Sequence, residues 1–354
     1  MYVHQPVLLR EVLEYLGCAE GGVYVDGTVG EGGHSERILE KSSPTGRLIG
    51  IDLDEHILQK AAARLERFGS RVQLIRNNFK NIKQILNERG LSQIDGFLAD
   101  LGISSYHLES PQPESLSASS AEGGRGFSFQ RDEPLDMRLD RRNPLTAAMI
   151  VNQSAEEELA RIIWEYGEER WSRKIARAVC SYRKKTPIST TGQLAEIVRH
   201  AVPAQFRFRR PPQGAVKIDP ATRTFQALRI AVNQELEGLD QAIRDAVDFL
   251  RPGGRICIIS FHSLEDRIVK RCFRSLSRAQ EPFFPGYGPG RRMDVDHETG
   301  RSEKIPSLAT VKILTPKPVM ATQEEIEANP RARSAKLRVA EKCGQPQSRK
   351  KVSS

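Results

Sequence analysis

The residues of this chain best placed to do chemistry are a cluster of glycines and the acidic residues around it. Residues 22–35 read G-V-Y-V-D-G-T-V-G-E-G-G-H-S, in which the β-formers Val23, Tyr24 and Val25 lead through Asp26 to Gly27, Gly30, Gly32 and Gly33. Helix-forming sequence resumes at Glu36, so the pattern predicts a strand, a tight turn and a helix. Glycines in such a turn let the backbone take positive φ and approach a ligand closely, while the helix start offers unpaired N–H groups. A turn that merely tolerates glycine is the alternative for the glycines alone. A second acid argues for a nucleoside: residues 47–52 (R-L-I-G-I-D) read as the next strand. Its terminal Asp52 is placed to accept both ribose hydroxyls of an adenosine over the switch point of a doubly wound sheet.

The glycines do not follow the G-x-G-x-x-G spacing of a dinucleotide site, and no basic residue stands inside the loop to meet a pyrophosphate. The acidic loop, with Asp26 and Glu31, suits a zwitterionic cofactor without phosphates, S-adenosylmethionine, better than NAD. A nicotinamide oxidoreductase is the disfavoured alternative. The seven histidines are scattered without ligand spacing, so no metal is predicted.

The elements that position these residues form an alternating α/β pattern. Val7, Leu8, Val12, Leu13 and Leu16 fall near one helical face, expected to pack as a lid beside the first strand. Asp54 is placed to cap a helix through Arg67, residues 72–75 read as a third strand, and residues 94–100 as a fourth that ends in Asp100. Alternation stops between residues 104 and 219, which predicts an insertion. The insertion opens with a Ser/Pro/Glu/Gly-rich loop at 109–124 and carries three helical patterns, at 154–166 behind the capping box Ser154-x-x-Glu157, at 170–184 and at 191–201. Residues 206–212 form a basic arm interleaved with aromatics. Apolar residues at steps of three and four predict one long helix over 224–250, broken by Pro252-Gly253-Gly254 ahead of a fifth strand at 255–260. Two β-like runs, 310–314 and 335–340, read as a closing antiparallel pair.

Composition narrows the class. With 54 Lys and Arg against 45 Asp and Glu, the 354-residue chain carries a net charge of +9 and favours an anionic partner, most commonly nucleic acid. Five cysteines without a C-x-x-C pair read as reduced thiols of a cytosolic protein. No apolar run approaches the length of a membrane span, and residues 1–17 lack the basic start of an export signal.

Several stretches together are more specific. H-Q-P-V-L-L-R-E-V-L, D-G-T-V-G-E-G-G-H-S, D-L-G-I-S-S, R-G-F-S-F-Q-R-D-E-P-L-D-M-R-L-D, Y-G-E-E-R, A-T-R-T-F-Q-A-L-R-I-A-V-N-Q-E-L, S-F-H-S-L-E-D-R-I-V-K and N-P-R-A-R-S-A-K-L-R resemble the ribosomal RNA small-subunit methyltransferase H family over nearly the whole chain. The resemblance implies S-adenosylmethionine-dependent methylation of the exocyclic N4 of one cytosine in bacterial 16S rRNA near the decoding site, in the cytoplasm. It implies a class I, Rossmann-like methyltransferase domain from residues 1–104 and 220–345, an inserted helical substrate domain at 105–219, and a basic tail at 346–354. The partner it implies is 16S rRNA within the small ribosomal subunit, with no membrane, and it leaves room for a homodimer. Carried over by motif, the cofactor positions are Gly32, Gly33, His34, Asp52, Phe79, Asp100 and His107, the last standing where glutamine is common. His34 has a second reading as a helix cap and Phe79 as a core residue.

The catalytic expectation falls on Asp100, or a main-chain carbonyl beside it, accepting a hydrogen bond from the cytosine amine. D-L-G-I-S-S lacks the prolines and adjacent aromatic common in amino-methyltransferases of DNA, so the base must be stacked from elsewhere; Phe127, Phe129 and Phe261 are the candidates, each with a place in the core as its alternative. Ser104, Ser105 and His262 are candidates for its edge, and Arg207, Arg209 and Arg210 with Phe206 and Phe208 for the strand around it, with an ordinary solvated charge run as the alternative for that arm. A DNA or protein methyltransferase, or an inactive assembly factor, are the rival readings.

Overall fold

The computed structural model describes residues 6–103, 124–204, 219–278 and 309–344. The calls on His107, Ser104, Ser105, the 206–212 arm, the 346–354 tail and almost all of 109–124 lie outside these residues.

Seven strands form one sheet: β1 (Val23–Asp26), β2 (Arg47–Asp52), β3 (Val72–Arg76), β4 (Ile94–Asp100), β5 (Leu250–Ser260), β6 (Val311–Ile313) and β7 (Lys336–Lys342). Their order is β3-β2-β1-β4-β5-β7-β6; the first five run parallel, and β7 lies antiparallel between β5 and β6. This is the class I methyltransferase order, with the predicted closing pair in place. The central strands are buried along most of their length, as their apolar runs require of a parallel sheet covered on both faces. Because β1 has β2 on one side and β4 on the other, a crevice opens at their C-terminal ends. Asp26, Asp52 and Asp100 are the last residues of β1, β2 and β4, so all three acids arrive there.

On the sheet pack α1 (Leu9–Leu16), α2 (Gly33–Lys41), α3 (Glu55–Leu65) and α4 (Ile82–Glu88). The first of these lies mainly against β5 and β4, and its Val12 and Leu16 share a core cluster with Tyr24 of β1. A Cβ on Gly96 of β4 would sit 2.7 Å from Leu16 Cδ1, and Arg255 of β5 donates to Tyr15 O at 2.9 Å.

Between β4 and β5 come α5 (Ala147–Gln153), α6 (Glu156–Gly167), α7 (Ser172–Arg183), α8 (Thr191–Ala201), α9 (Ala221–Asn233) and α10 (Leu239–Phe249). Helices α5 to α9 close around their own core, including Leu159, Ile163, Ile175, Val179, Leu194 and Leu228. Helix α8 starts with a capping box, Thr190 accepting from Gln193 N–H and the Gln193 side chain accepting from Thr190 N–H. The predicted box at Ser154 does not form. Helix α5 stands ahead of the three expected helices, and Ser154 ends it by donating its N–H to Ile150 O, so α6 begins behind Ala155 without a side-chain cap.

The helix expected over 224–250 is two. Gln234 at φ 50° and Gly238 at φ 69° break it, because its apolar positions serve different cores. Phe225, Leu228 and Val232 bury in the helical unit, whereas Leu239, Ile243 and Val247 bury against the sheet. Pro252-Gly253-Gly254 does not end an element either; the chain is already in β5 from Leu250, with a register shift opposite Ile94 and Gly96. Helix α11 (Ser263–Ser277) follows β5, and α12 (Gln323–Ala328) precedes β7. No helix among the described residues is long and apolar enough to cross a membrane.

Candidate functional site

The glycine turn is laid across the strand ends by its own backbone. Gly27 N–H donates to Leu98 O of β4 at 2.8 Å, and Val29 N–H to Ile51 O of β2 at 2.9 Å. A Cβ on Gly27 would lie 3.0 Å from Phe97 Cζ and 3.1 Å from Phe79 Cβ, and one on Gly33 only 2.5 Å from Pro6 Cγ. Gly32, at φ 83°, is the left-handed residue that starts α2; it stands behind the wall of the cavity described below, against Leu65.

Asp26, expected to colour the loop electrostatically, instead holds it from beneath. Its Oδ2 accepts from Ser35 Oγ at 2.7 Å and its Oδ1 from Thr28 N–H at 3.2 Å. Burial pushes its carboxyl up to about 6, reinforced by the charge of Asp52 and opposed by the bonds from Ser35 and Thr28. Asp52 is oriented by two backbone donors, Gly30 N–H at 3.1 Å to Oδ2 and Asp54 N–H at 3.0 Å to Oδ1. Asp54 caps α3 through His56 N–H at 3.0 Å, as its position predicts, and also pairs with Arg125 from the segment leading into the helical unit.

His34 lies within α2, whose N-cap is Gly32, so it does not cap the helix. Its Nε2 is 2.9 Å from Val7 O and ties the N-terminal segment over the turn. Phe79 opens a short 3-10 turn capped by Asn78 and faces the same space.

Asp100 closes the arrangement. Thr28 Oγ1 accepts its backbone N–H at 2.6 Å, while its side-chain Oδ1 is buried without a hydrogen-bond partner. Burial raises its carboxyl well above the ordinary aspartate range, helped by the charges of Asp26 and Glu265.

Gly33, His34, Asp52, Phe79 and Asp100 line one cavity of about 550 Å³. Its far wall is made by Phe127, Phe129 and Phe225 of the helical unit and by Phe261, His262 and Glu265 at the start of α11. All three aromatics considered for stacking therefore reach it. Phe129 meets Phe225 edge to face at 4.8 Å between centroids, and Phe127 is buried in the helical core as well. The loop presenting them is held by its own charges: Glu133 accepts from Gly126 N–H at 2.9 Å, Asp136 pairs with Arg138 at 2.7 Å, and Asn233 brackets the segment through Leu139 N–H and Met137 O. The dense charge of R-D-E-P-L-D-M-R-L-D thus builds a scaffold. The Y-G-E-E-R motif is a clasp, in which Glu168 accepts from Ser263 Oγ and, at 2.8 Å, from Arg267.

Sequence reading singled out His262 for the base edge but not the buried ionic group it joins on this wall. Arg229 donates from Nε and Nη2 to Glu235 at 2.9 and 2.8 Å, and Glu265 stands beside His262. Burial would raise the Glu265 carboxyl, but His262, Arg229 and the Phe261 N–H outweigh it and hold it low. Glu235, His262 and Glu265 each bring a ligand-type atom within 4.8 Å of the others. The Arg229 guanidinium already supplies the opposing charge there. His262 apart, no local pattern announces these residues; only the fold gathers them.

The cavity fits a phosphate-free adenosine cation. Carboxyl groups of Glu31, Asp52, Asp100 and Glu265 line it. Of its cations, Arg229 is paired with Glu235, which also lines it, and Lys80 donates to Gln234 O at 2.6 Å. A buried acceptor without a partner and a turn that a Cβ would fill are what a positively charged ligand held close to the backbone requires.

Comparison with known proteins agrees with the resemblance. The chain is 46% identical over 346 residues to ribosomal RNA small subunit methyltransferase H of Geotalea uraniireducens, covering 96% of this chain and 98% of that protein. It is 48% identical over 341 residues to the protein of that name from Trichlorobacter lovleyi, again covering 96% and 98%. A solved rRNA methylase from Streptococcus thermophilus aligns over 97% of this chain and 100% of its own, at 10% identity and a TM-score of 0.37, so the fold class rests on the sheet order above. The MraW methylase family profile matches residues 1–343. The chain belongs to the MraW methylase family, and its methyl donor is S-adenosylmethionine.

Proposed function

We propose that the protein methylates the exocyclic N4 of one cytosine in 16S ribosomal RNA, near the decoding site of the small subunit, in the cytoplasm. The observation that carries this reading is the buried, unpartnered Oδ1 of Asp100 in a cavity with the cofactor turn on one side and the helical unit on the other. In this reading Gly32 and Gly33 shape the cofactor turn, His34 holds the N-terminal segment over it, Asp52 takes the ribose hydroxyls, and Phe79 packs by the adenine. His107 is assigned to the same set by its motif. The helical unit receives the RNA. The net charge of +9 suits that partner. Relatives named for small-subunit rRNA support the substrate class.

When bound, S-adenosylmethionine supplies an electrophilic methyl group. A cytosine amine is a weak nucleophile because its lone pair is delocalised into the ring, so positioning is the main device, and alignment can supply several kcal/mol, up to ~7–11. Asp100 is held toward its neutral form in the free protein; a positive charge in the cavity draws it toward carboxylate. As carboxylate it accepts the amine N–H and pulls the nitrogen toward sp3 geometry. The amine proton becomes acidic once the nitrogen is alkylated, so no stronger base is needed. The target base has to leave its stack, at a few kcal/mol, and the phenylalanine walls offer it a new one.

The test is Asp100→Ala beside Asp100→Asn, with cofactor binding and single-turnover transfer to 16S RNA in small subunits measured separately, and the methylated nucleotide mapped. Loss of transfer by about 100-fold or more is expected. Transfer near the wild-type rate would remove Asp100 from the chemistry, and a methyl group on another atom would overturn the substrate.

A further inference from the structure

Four buried side-chain polar atoms among the described residues have no hydrogen-bond partner, and two belong to residues on the wall of this cavity, Asp100 Oδ1 and His262 Nε2. Leaving such groups unpaired is unfavourable, so in a native protein each calls for an explanation, a catalytic or binding role among them. The histidine is held rigidly. Its Nδ1 accepts Glu265 N–H at 3.4 Å, while Glu265 Oε2 accepts the N–H groups of Phe261 and His262 at 2.9 and 3.4 Å. With Nδ1 an acceptor, a neutral imidazole carries its proton on Nε2, which is then a donor. That nitrogen lies 3.1 Å from Glu265 Oε1 without the alignment of a hydrogen bond, and the two side chains are only 8% and 3% exposed.

We infer that His262, braced by Glu265, donates its Nε2–H to the ring nitrogen next to the reacting amine, and so reads the identity of the target base together with Asp100. This rests on the reading above that Asp100 faces the amine. Cytosine presents a donor at N4 beside an acceptor at N3, matching an acceptor on Asp100 and a donor on His262. Uracil presents the reverse, O4 beside N3–H, and would set acceptor against acceptor and donor against donor. Adenine shares the cytosine pattern, so rejecting purines is not the task of His262. Arg229, paired with Glu235, keeps the Glu265 end of the network charge-compensated, which favours a base-reading group over a metal site.

The experiment uses the full-length protein and small subunits reconstituted with 16S RNA carrying cytidine or 3-deazacytidine, which lacks the N3 acceptor, at the methylated position. His262→Asn is the variant, because asparagine still caps α11 but is too short to place a donor where Nε2 lies. Losing one hydrogen bond whose partner stays buried should slow single-turnover transfer about 10- to 100-fold. The wild type should show that loss on 3-deazacytidine, and the variant should show it on cytidine while no longer distinguishing the two bases. Calorimetric affinity of the variant for the methyl donor should stay within about twofold of wild type, since the contact proposed is to the base. A variant that still prefers cytidine as strongly as wild type, or that loses donor binding, overturns the proposal. So does transfer abolished by chelator and restored by zinc. Wild-type methylation at an atom other than the cytosine amine would instead bring down the Asp100 reading first, and this one with it.

Discussion

Asp26→Asn should change the pH dependence of stability in a way that can be worked out in advance. The Asp26 side chain is buried beneath the glycine turn, and its carboxyl is lifted from the ordinary 3.8 to about 6, chiefly by burial. In the unfolded chain the same group ionises near ~3.9. Between those values the folded protein holds a proton that the unfolded chain has lost, so stability falls as pH rises through that window. At about 1.36 kcal/mol per pH unit the fall totals about 3 kcal/mol, complete by pH 7 and undiminished by solvent screening because the group is fully buried. Asparagine has nearly the same shape, can accept from Thr28 N–H, and can donate to a Ser35 hydroxyl turned to receive it, but it does not titrate. The stability of the variant relative to wild type should therefore rise by about 2 kcal/mol from pH 4 to pH 7, the rest of the change lying below pH 4. Denaturant unfolding of both proteins at several pH values, with matching m-values, measures it. A difference independent of pH would refute the argument that burial dominates at Asp26. Because the residue lies behind the turn, donor affinity should fall by less than about tenfold in the same variant.

Three other outcomes follow from single contacts. Gly33→Ala places a Cβ 2.5 Å from Pro6 Cγ and should displace the N-terminal segment, costing about 1–3 kcal/mol of donor affinity by calorimetry; unchanged affinity would mean that segment does not shape the cavity. Asp54→Ala removes the cap of α3 and leaves the largely buried Arg125 without that carboxylate, so urea unfolding should show a loss of about 3–5 kcal/mol. Asp54→Asn, which keeps the cap, isolates the ion-pair share. Desolvation pushes the thiol of half-buried Cys18 up to about 12 and that of buried Cys272 to about 11, so both should resist alkylation at pH 8 in the native protein and react after unfolding; rapid native labelling at either would contradict that desolvation.

Asp52 and Asp100 could be found without coordinates because each ends an apolar run, and a parallel strand delivers its last residue to the crevice. Asp26 ends such a run too, and nothing local says that its neighbours Ser35 and Thr28 would turn it inward. Periodicity over 224–250 is genuine, but it does not report which core each apolar residue enters, so the break at Gln234 was invisible. Ser154-x-x-Glu157 has the composition of a cap, yet the preceding helix claims Ser154 first.

Sequence alone determined the strand ends, the turn that a Cβ would obstruct, the membership of the family and the acidic character of the candidate pocket, because these depend on neighbours a few residues apart along the chain. Tertiary structure decided what faces that pocket. Arg229, Glu235, His262 and Glu265 come from two regions of the chain, and each alone has an ordinary surface or capping role. Burial in one cavity removes their water and makes their hydrogen bonds specific, and that depends on how the helical unit closes on the sheet.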